Sequence, residues 1–167
     1  MSGVSCTADG VVTMPTVLVV DDYPAMLAWA TRAFTRAGWT VLTATDHREA
    51  MERWHIARDS GAPVGVLITD LELHEQGGTS LIARLRADDA RLPVLALHTG
   101  DEAMVSWPAT QLNQTAFFRK PVRAGVLLDT ATSLLSARAP CVSAAGDESC
   151  PVKPALVANA VPGGDRW

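Results

Sequence analysis

Between Thr16 and about Arg138, short apolar runs alternate with stretches whose apolar residues recur at helical spacing. Strands too brief to be helices, separated by amphipathic helices, predict a parallel sheet with crossover helices on its faces. The strands are expected at Thr16–Val20, Thr40–Ala44, Val64–Thr69, Pro93–Leu97 and Thr115–Arg119. After the first, Met26, Ala30, Ala33 and Ala37 recur every three or four residues beside Leu27 and Phe34, and Gly38 ends that helix. Asp46 followed three residues on by Glu49 has capping-box spacing and opens a second helix, with Ala50, Met51 and Trp54 inward. A third runs from about Thr79 on Leu81, Ile82 and Leu85. The last, from Val122, buries Val126, Leu127, Ala131, Leu134 and Leu135.

The fourth crossover breaks this regularity. Between Asp101 and Gln114 the pattern weakens, and Pro108 would deprive a helix of a hydrogen bond and clash with its preceding turn, so a short or irregular segment is expected. From Ala139 onward Pro140, Pro151, Pro154 and Pro162 interrupt a run of small residues that offers too little apolar surface to offset its ordering entropy. The expected organisation is a flexible segment over 1–14, one domain over 15–138 and a disordered tail over 139–167.

A chain of 167 residues, 48% hydrophobic and 19% charged, can bury one proper core. Its net charge of -4 provides no basic footprint for nucleic acid. The sequence has neither a charged head before an apolar run at its start nor about 18 apolar residues in succession, so a cytoplasmic address without membrane insertion is expected. Cys6, Cys141 and Cys150 lack metal-ligand spacing and read as free thiols in flexible segments, with a Cys141–Cys150 disulfide as the alternative.

The chemistry gathers at strand ends, where open parallel sheets place their ligands. The first strand delivers Asp21 and Asp22, the third Asp70, and the fifth Lys120 followed by Pro121. If the first and third strands are neighbours, three carboxylates converge, and each raises the pKa of the others unless a cation intervenes. Mg²⁺ suits a site of one or two direct carboxylates, waters and a phosphate oxygen, and Lys120 adds a compact positive charge for another oxygen of the same phosphoryl group. Asp21 and Asp22 then read as metal binders. Asp70, on the central strand, is left as the nucleophile for in-line attack on a phosphoryl donor.

These residues resemble the receiver domain of bacterial two-component response regulators. The resemblance spans about Pro15 to Arg138. It is carried by Val19-Val20-Asp21-Asp22, by Gly38-Trp39-x-Val41-x-x-Ala44, by Asp70-Leu71-x-Leu73 with Gly78 eight residues after the acid, by Pro93-Val94-Leu95, and by Phe117-Phe118-Arg119-Lys120-Pro121. It implies a flavodoxin-like α/β fold, a doubly wound five-stranded parallel sheet in the order 2-1-3-4-5. It also implies transfer of a phosphoryl group to Asp70 from a sensor histidine kinase or phosphotransfer protein. Mg²⁺ would be held by Asp22, Asp70, the backbone carbonyl of Glu72 and, through water, Asp21. Lys120 would bind the phosphoryl group, with the Lys120–Pro121 bond cis, and Phe117 would be the rotating aromatic.

Several positions depart from that pattern. His74 replaces the usual proline after Asp70, and His47 a usual glycine; both read as loop histidines. The hydroxyl that the family swings toward the phosphoryl group is replaced at its spacing by His98, with Thr99 one residue late. Either His98 occupies the switch position or a one-residue bulge restores Thr99 to it. Glu72, two residues past Asp70, should influence water access to the phosphoryl group. Trp107 is a candidate for an aromatic binding surface, against a plain loop contact.

The leading reading is a phospho-acceptor that signals through protein contacts with an unidentified downstream partner, turning over its own phosphoryl group but no separate substrate. Two others stand beside it. A receiver-like binding module could work without phosphorylation. An aspartyl-phosphate phosphatase would want a second aspartate where Glu72 stands. The sequence leaves homodimerisation open.

Overall fold

The computed structural model describes residues 5–6, 12–73, 77–100, 114–138 and 157–158. Five strands, β1 (Thr16–Val20), β2 (Thr40–Ala44), β3 (Val66–Asp70), β4 (Val94–His98) and β5 (Thr115–Arg119), form a parallel sheet in the order β2-β1-β3-β4-β5. Helices α1 (Pro24–Arg36), α2 (His47–Asp59), α3 (Gly77–Asp88) and α4 (Ala124–Arg138) flank it. This is the expected flavodoxin-like order. A two-residue strand, β6 (Val157–Ala158), continues the sheet beyond β5, and Ser5–Cys6 pairs with Val12–Thr13 in a separate antiparallel ribbon. The fourth crossover, with Pro108 and Trp107, lies outside the described residues, as do His74, Cys141 and Cys150.

Strand period divides the core into two layers. Leu18, Val20, Leu67, Val94, Ala96 and Phe117 point to the side of α2 and α3, where they meet Ala50, Trp54, Leu81, Ile82 and Leu85. Their chain neighbours Val17, Val19, Val66, Ile68, Leu95, Leu97 and Phe118 point to the side of α1 and α4 and pack on Met26, Ala30, Phe34, Leu127 and Ala131. Because β1, β3 and β4 are covered on both faces, their residues are buried throughout, and the apolar stretches Val17–Val20, Val66–Ile68 and Val94–Leu97 show no polar alternation.

Two expected strands are displaced toward their C-termini. β3 starts at Val66 instead of Val64 and ends at Asp70, and β4 starts at Val94 instead of Pro93 and ends at His98. Pro93 has no N–H for the ladder and contributes its carbonyl to Leu67 N (2.9 Å). Polar residues at strand ends still pair, because Leu71 N reaches Leu97 O (2.8 Å) and Lys120 N reaches His98 O (2.8 Å).

The helix boundaries follow local chemistry. Gly38 takes a positive φ of 82° and its N–H closes on Thr35 O (3.0 Å), ending α1. At α2, Asp46 Oδ1 accepts from Glu49 N (2.7 Å), while Glu49 Oε2 reaches back to Thr45 N (2.9 Å), one residue beyond the N-cap amide that a standard capping box uses. Beneath the sheet, the Arg86 guanidinium donates to Leu92 O (3.0 Å) and Thr115 Oγ1 (2.9 Å); its burial lowers its pKa to about 10.

Gly78 controls how α3 approaches the end of β3. A Cβ there would lie 2.0 Å from Asp70 O and 2.9 Å from Leu71 Cα, so only glycine lets the helix start against that strand. Gly78→Ala should destabilise the domain by about 1–3 kcal/mol or more through backbone overpacking. Gly125→Ala, in α4 with open space at its Cβ, should stabilise by about 0.5–1 kcal/mol. Urea denaturation of both variants checks the contrast; equal effects would contradict it.

Candidate functional site

The C-terminal ends of β1, β3 and β5 bring Asp21, Asp22, Asp70 and Lys120 together. β1 and β3 are neighbours in register, Val20 opposite Thr69, so the residues that follow them emerge side by side. One carboxylate oxygen from each of Asp21, Asp22 and Asp70 lies within 4.8 Å of the others. Lys120 Nζ sits between two of these acids, 2.8 Å from Asp21 Oδ2 and 2.7 Å from Asp70 Oδ2. The peptide bond between Lys120 and Pro121 is cis.

The remaining oxygens of the buried pair hold their own loops. Asp21 Oδ1 accepts from Tyr23 N (2.9 Å), fixing the turn into α1, and Asp70 Oδ1 accepts from Glu72 N (2.9 Å), fixing the turn toward α3. Asp21 is 1% exposed and Asp70 5%, whereas Asp22 faces solvent.

Burial sets the electrostatics. It holds the Asp21 carboxyl above the usual aspartate range; the hydrogen bonds from Lys120 and Tyr23 and the charge of Lys120 oppose this without cancelling it, and the charge of Asp70 adds to it. Burial also pulls on Lys120, downward, but its hydrogen bonds to Asp21 and Asp70 and their charges outweigh it, leaving the ammonium held above its ordinary value. Lysine therefore stays protonated between two acids, one of which is insufficiently compensated. Hard oxygen donors at this separation, with one acid open to solvent, fit a divalent cation such as Mg²⁺.

Around this centre the fourth-strand end takes a form that sequence reasoning left open. The β4–β5 ladder runs without a bulge from Val94↔Thr115 to His98↔Arg119, so His98 is the last paired residue and Thr99 lies one beyond. The His98 side chain is buried, with Nδ1 2.5 Å from Gly100 O. The Thr99 hydroxyl is 2.6 Å from both Glu72 carboxylate oxygens, and its N–H donates to Glu72 Oε1 (3.2 Å). That hydroxyl contact is the leading cause holding the Glu72 carboxyl below its usual range. Glu72 and Thr99 are 27 residues apart, and only the pairing of β3 with β4 makes them neighbours. The sequence therefore flagged both residues without showing their contact. Phe117 is buried in the α2–α3 layer. His47 is the first residue of α2 and half-buried.

A family model described as the response regulator receiver domain matches residues 17–132. The chain belongs to that family: it contains the receiver domain of a response regulator of two-component signalling. It is 33% identical over 86 residues to the probable transcriptional regulatory protein TcrX of Mycobacterium tuberculosis, covering 52% of this chain and 35% of that protein. It is also 34% identical over 88 residues to the transcriptional regulatory protein TrcR of the same organism, covering 53% and 32%. The matches thus span about a third of these relatives. Among solved structures, the chemotaxis protein CheY4 of Vibrio cholerae superimposes with a TM-score of 0.63 at 26% identity, covering 72% of this chain and 98% of that one.

The raised pKa of Asp21 carries a stability consequence. Between the ordinary aspartate pKa and the raised folded-state value, the folded protein holds a proton that the unfolded chain has released, so metal-free stability falls as pH rises through that window. Asp21→Asn, which mimics the protonated acid, should therefore be more stable than the parent at pH 7 without metal. The difference should shrink toward zero at pH values below the usual aspartate range. Urea denaturation at both pH values measures it, and a variant less stable at pH 7 would contradict the assignment of burial as the dominant cause.

Proposed function

We propose that Asp70 accepts a phosphoryl group from a sensor histidine kinase or a histidine phosphotransfer protein, and that the modified domain signals through protein contacts. The observation that carries this reading is the Lys120 ammonium bridging Asp70 and Asp21 at the sheet edge. In the transfer, a carboxylate oxygen of Asp70 attacks phosphorus in line. The bond from phosphorus to the donor imidazole breaks, and its electron pair leaves with the imidazole nitrogen. Membership of the receiver family and the acidic trio support it.

Asp22, Asp70 and the Glu72 carbonyl would hold Mg²⁺ directly, with Asp21 acting through water. The cation would neutralise charge on the phosphoryl oxygens. Lys120 exchanges a carboxylate partner for a phosphoryl oxygen, which orients the incoming group. Asp70 is pre-aimed by the Glu72 N–H. Its burial restricts the approach of water. His98, at the last paired position of β4, supplies an imidazole that can donate to a phosphoryl oxygen once its bond to Gly100 O is released. Thr99 would first have to leave Glu72. We assign Phe117 to the same switch, since its strand leads directly into Lys120. Among the described residues no helix is long and apolar enough to cross a membrane, in keeping with signalling from the cytoplasm.

Mixing the full chain with Mg²⁺ and a small phosphoryl donor such as acetyl phosphate, then measuring intact mass, tests the proposal. One phosphoryl adduct is expected on the parent and none on Asp70→Asn, whose fold should persist. Undiminished labelling of Asp70→Asn would defeat the assignment. A folded parent without an adduct would favour the binding module that works independently of phosphorylation, and continuous phosphate release at enzyme-like rates would favour the phosphatase.

A further inference from the structure

The outer edge of β5 is the most consequential surface that the site chemistry does not use. β5 reads Thr115-Ala116-Phe117-Phe118-Arg119, without proline, internal bulge or charge before its last residue. Such an edge is a ready template for another strand, and proteins that keep one usually cover it. Here β6 covers it: Val157 pairs with Phe117 and Ala158 with Phe118, in parallel. The covering segment has a matching composition. Ala155–Ala158 is the longest run of consecutive aliphatic residues after Arg138, and Pro154 and Pro162 bound the stretch that could extend it.

The direction of the ladder shows which amides are involved. Val94 N bonds Gln114 O and Lys120 N bonds His98 O, so the even-numbered residues of β5 turn their backbone groups toward β4. The backbone groups of Thr115, Phe117 and Arg119 then face the outer side, on which β6 lies. By the same alternation and the Phe117↔Val157 register, the Ala158 amide faces β5 and that of Val157 faces away. A pairing of two residues is short enough to open without unfolding the domain.

We propose that the segment centred on Val157–Ala158 is an intramolecular strand that plugs the β5 edge, and that it must leave before this edge can take an extended segment from another protein. The occupant in the free chain is the chain's own C-terminal region. The edge it covers lies immediately before Lys120, so exchange of one strand for another occurs on the element that carries the site's lysine. The proposal does not depend on phosphorylation of Asp70.

Amide hydrogen exchange of the full chain, read residue by residue, tests it with two proline variants. Ala158→Pro removes the amide that faces β5 and should speed exchange at Phe117 and Arg119 at least about tenfold, leaving Ala116 and Phe118, which face β4, unchanged. Val157→Pro, whose amide faces away, should leave all four close to the parent. A synthetic peptide of residues 153–162 should bind Ala158→Pro at least about tenfold more tightly than the parent, whose edge is occupied. Unchanged exchange at Phe117 and Arg119 in Ala158→Pro, or equal effects of the two prolines, would overturn the plug. Peptide binding to neither protein would overturn the strand-accepting edge.

Discussion

A single ammonium group between two carboxylates organises this domain's functional end. Lys120 Nζ touches both Asp21 and Asp70, residues that arrive on different strands, and so ties the end of β5 to the ends of β1 and β3. Its pull does not offset the burial of Asp21. Three carboxylates against one ammonium leave two negative charges in a corner where Asp21 and Asp70 are both buried. Burial magnifies every unbalanced charge, because little water remains to screen it. The donor set of this corner fits a divalent cation, and the rest of the fold is a frame that holds its acids in place.

That frame is specific in its tolerances. The parallel register delivers Asp21 and Asp70 at the same height, and each acid spends its second oxygen on the amide two residues further along its own loop. Gly78 allows α3 to start directly against the Asp70 carbonyl. On the far side, Glu72 reaches from the β3 loop to hold Thr99 past the end of β4. The site thus has one side set by buried charge and another by an exposed hydrogen-bonded bridge.

Much of this was legible in the chain because the relevant signals are local. The apolar runs marked β1 to β5, and Asp46 with Glu49 marked the start of α2. Strand ends were less sharp: Asp70 and His98 look like loop residues by polarity, yet the ladder extends through both. The acids and the lysine could be placed at one edge, whereas their order across the sheet came through the resemblance to receiver domains. Contacts between distant segments carried no such signal. Nothing in the sequence pairs Glu72 with Thr99 or places Lys120 within reach of Asp21 as well as Asp70. The β6 pairing was missed because Val157–Ala158 is too short for a period of two to register against a proline-rich background.

The proposed Mg²⁺ site rests on an acidic corner that is short of positive charge. Unfolding free energy, measured by urea denaturation of the unphosphorylated chain across a Mg²⁺ series at constant ionic strength, tests it most directly. Preferential binding to the folded state predicts stability that rises with Mg²⁺, approaching about 1.4 kcal/mol per tenfold increase once the ion exceeds its Kd. Asp22→Asn, which removes the exposed member of the trio, should flatten that rise. A parent whose stability is unchanged through millimolar Mg²⁺, or a rise equally steep in Asp22→Asn, would contradict the account.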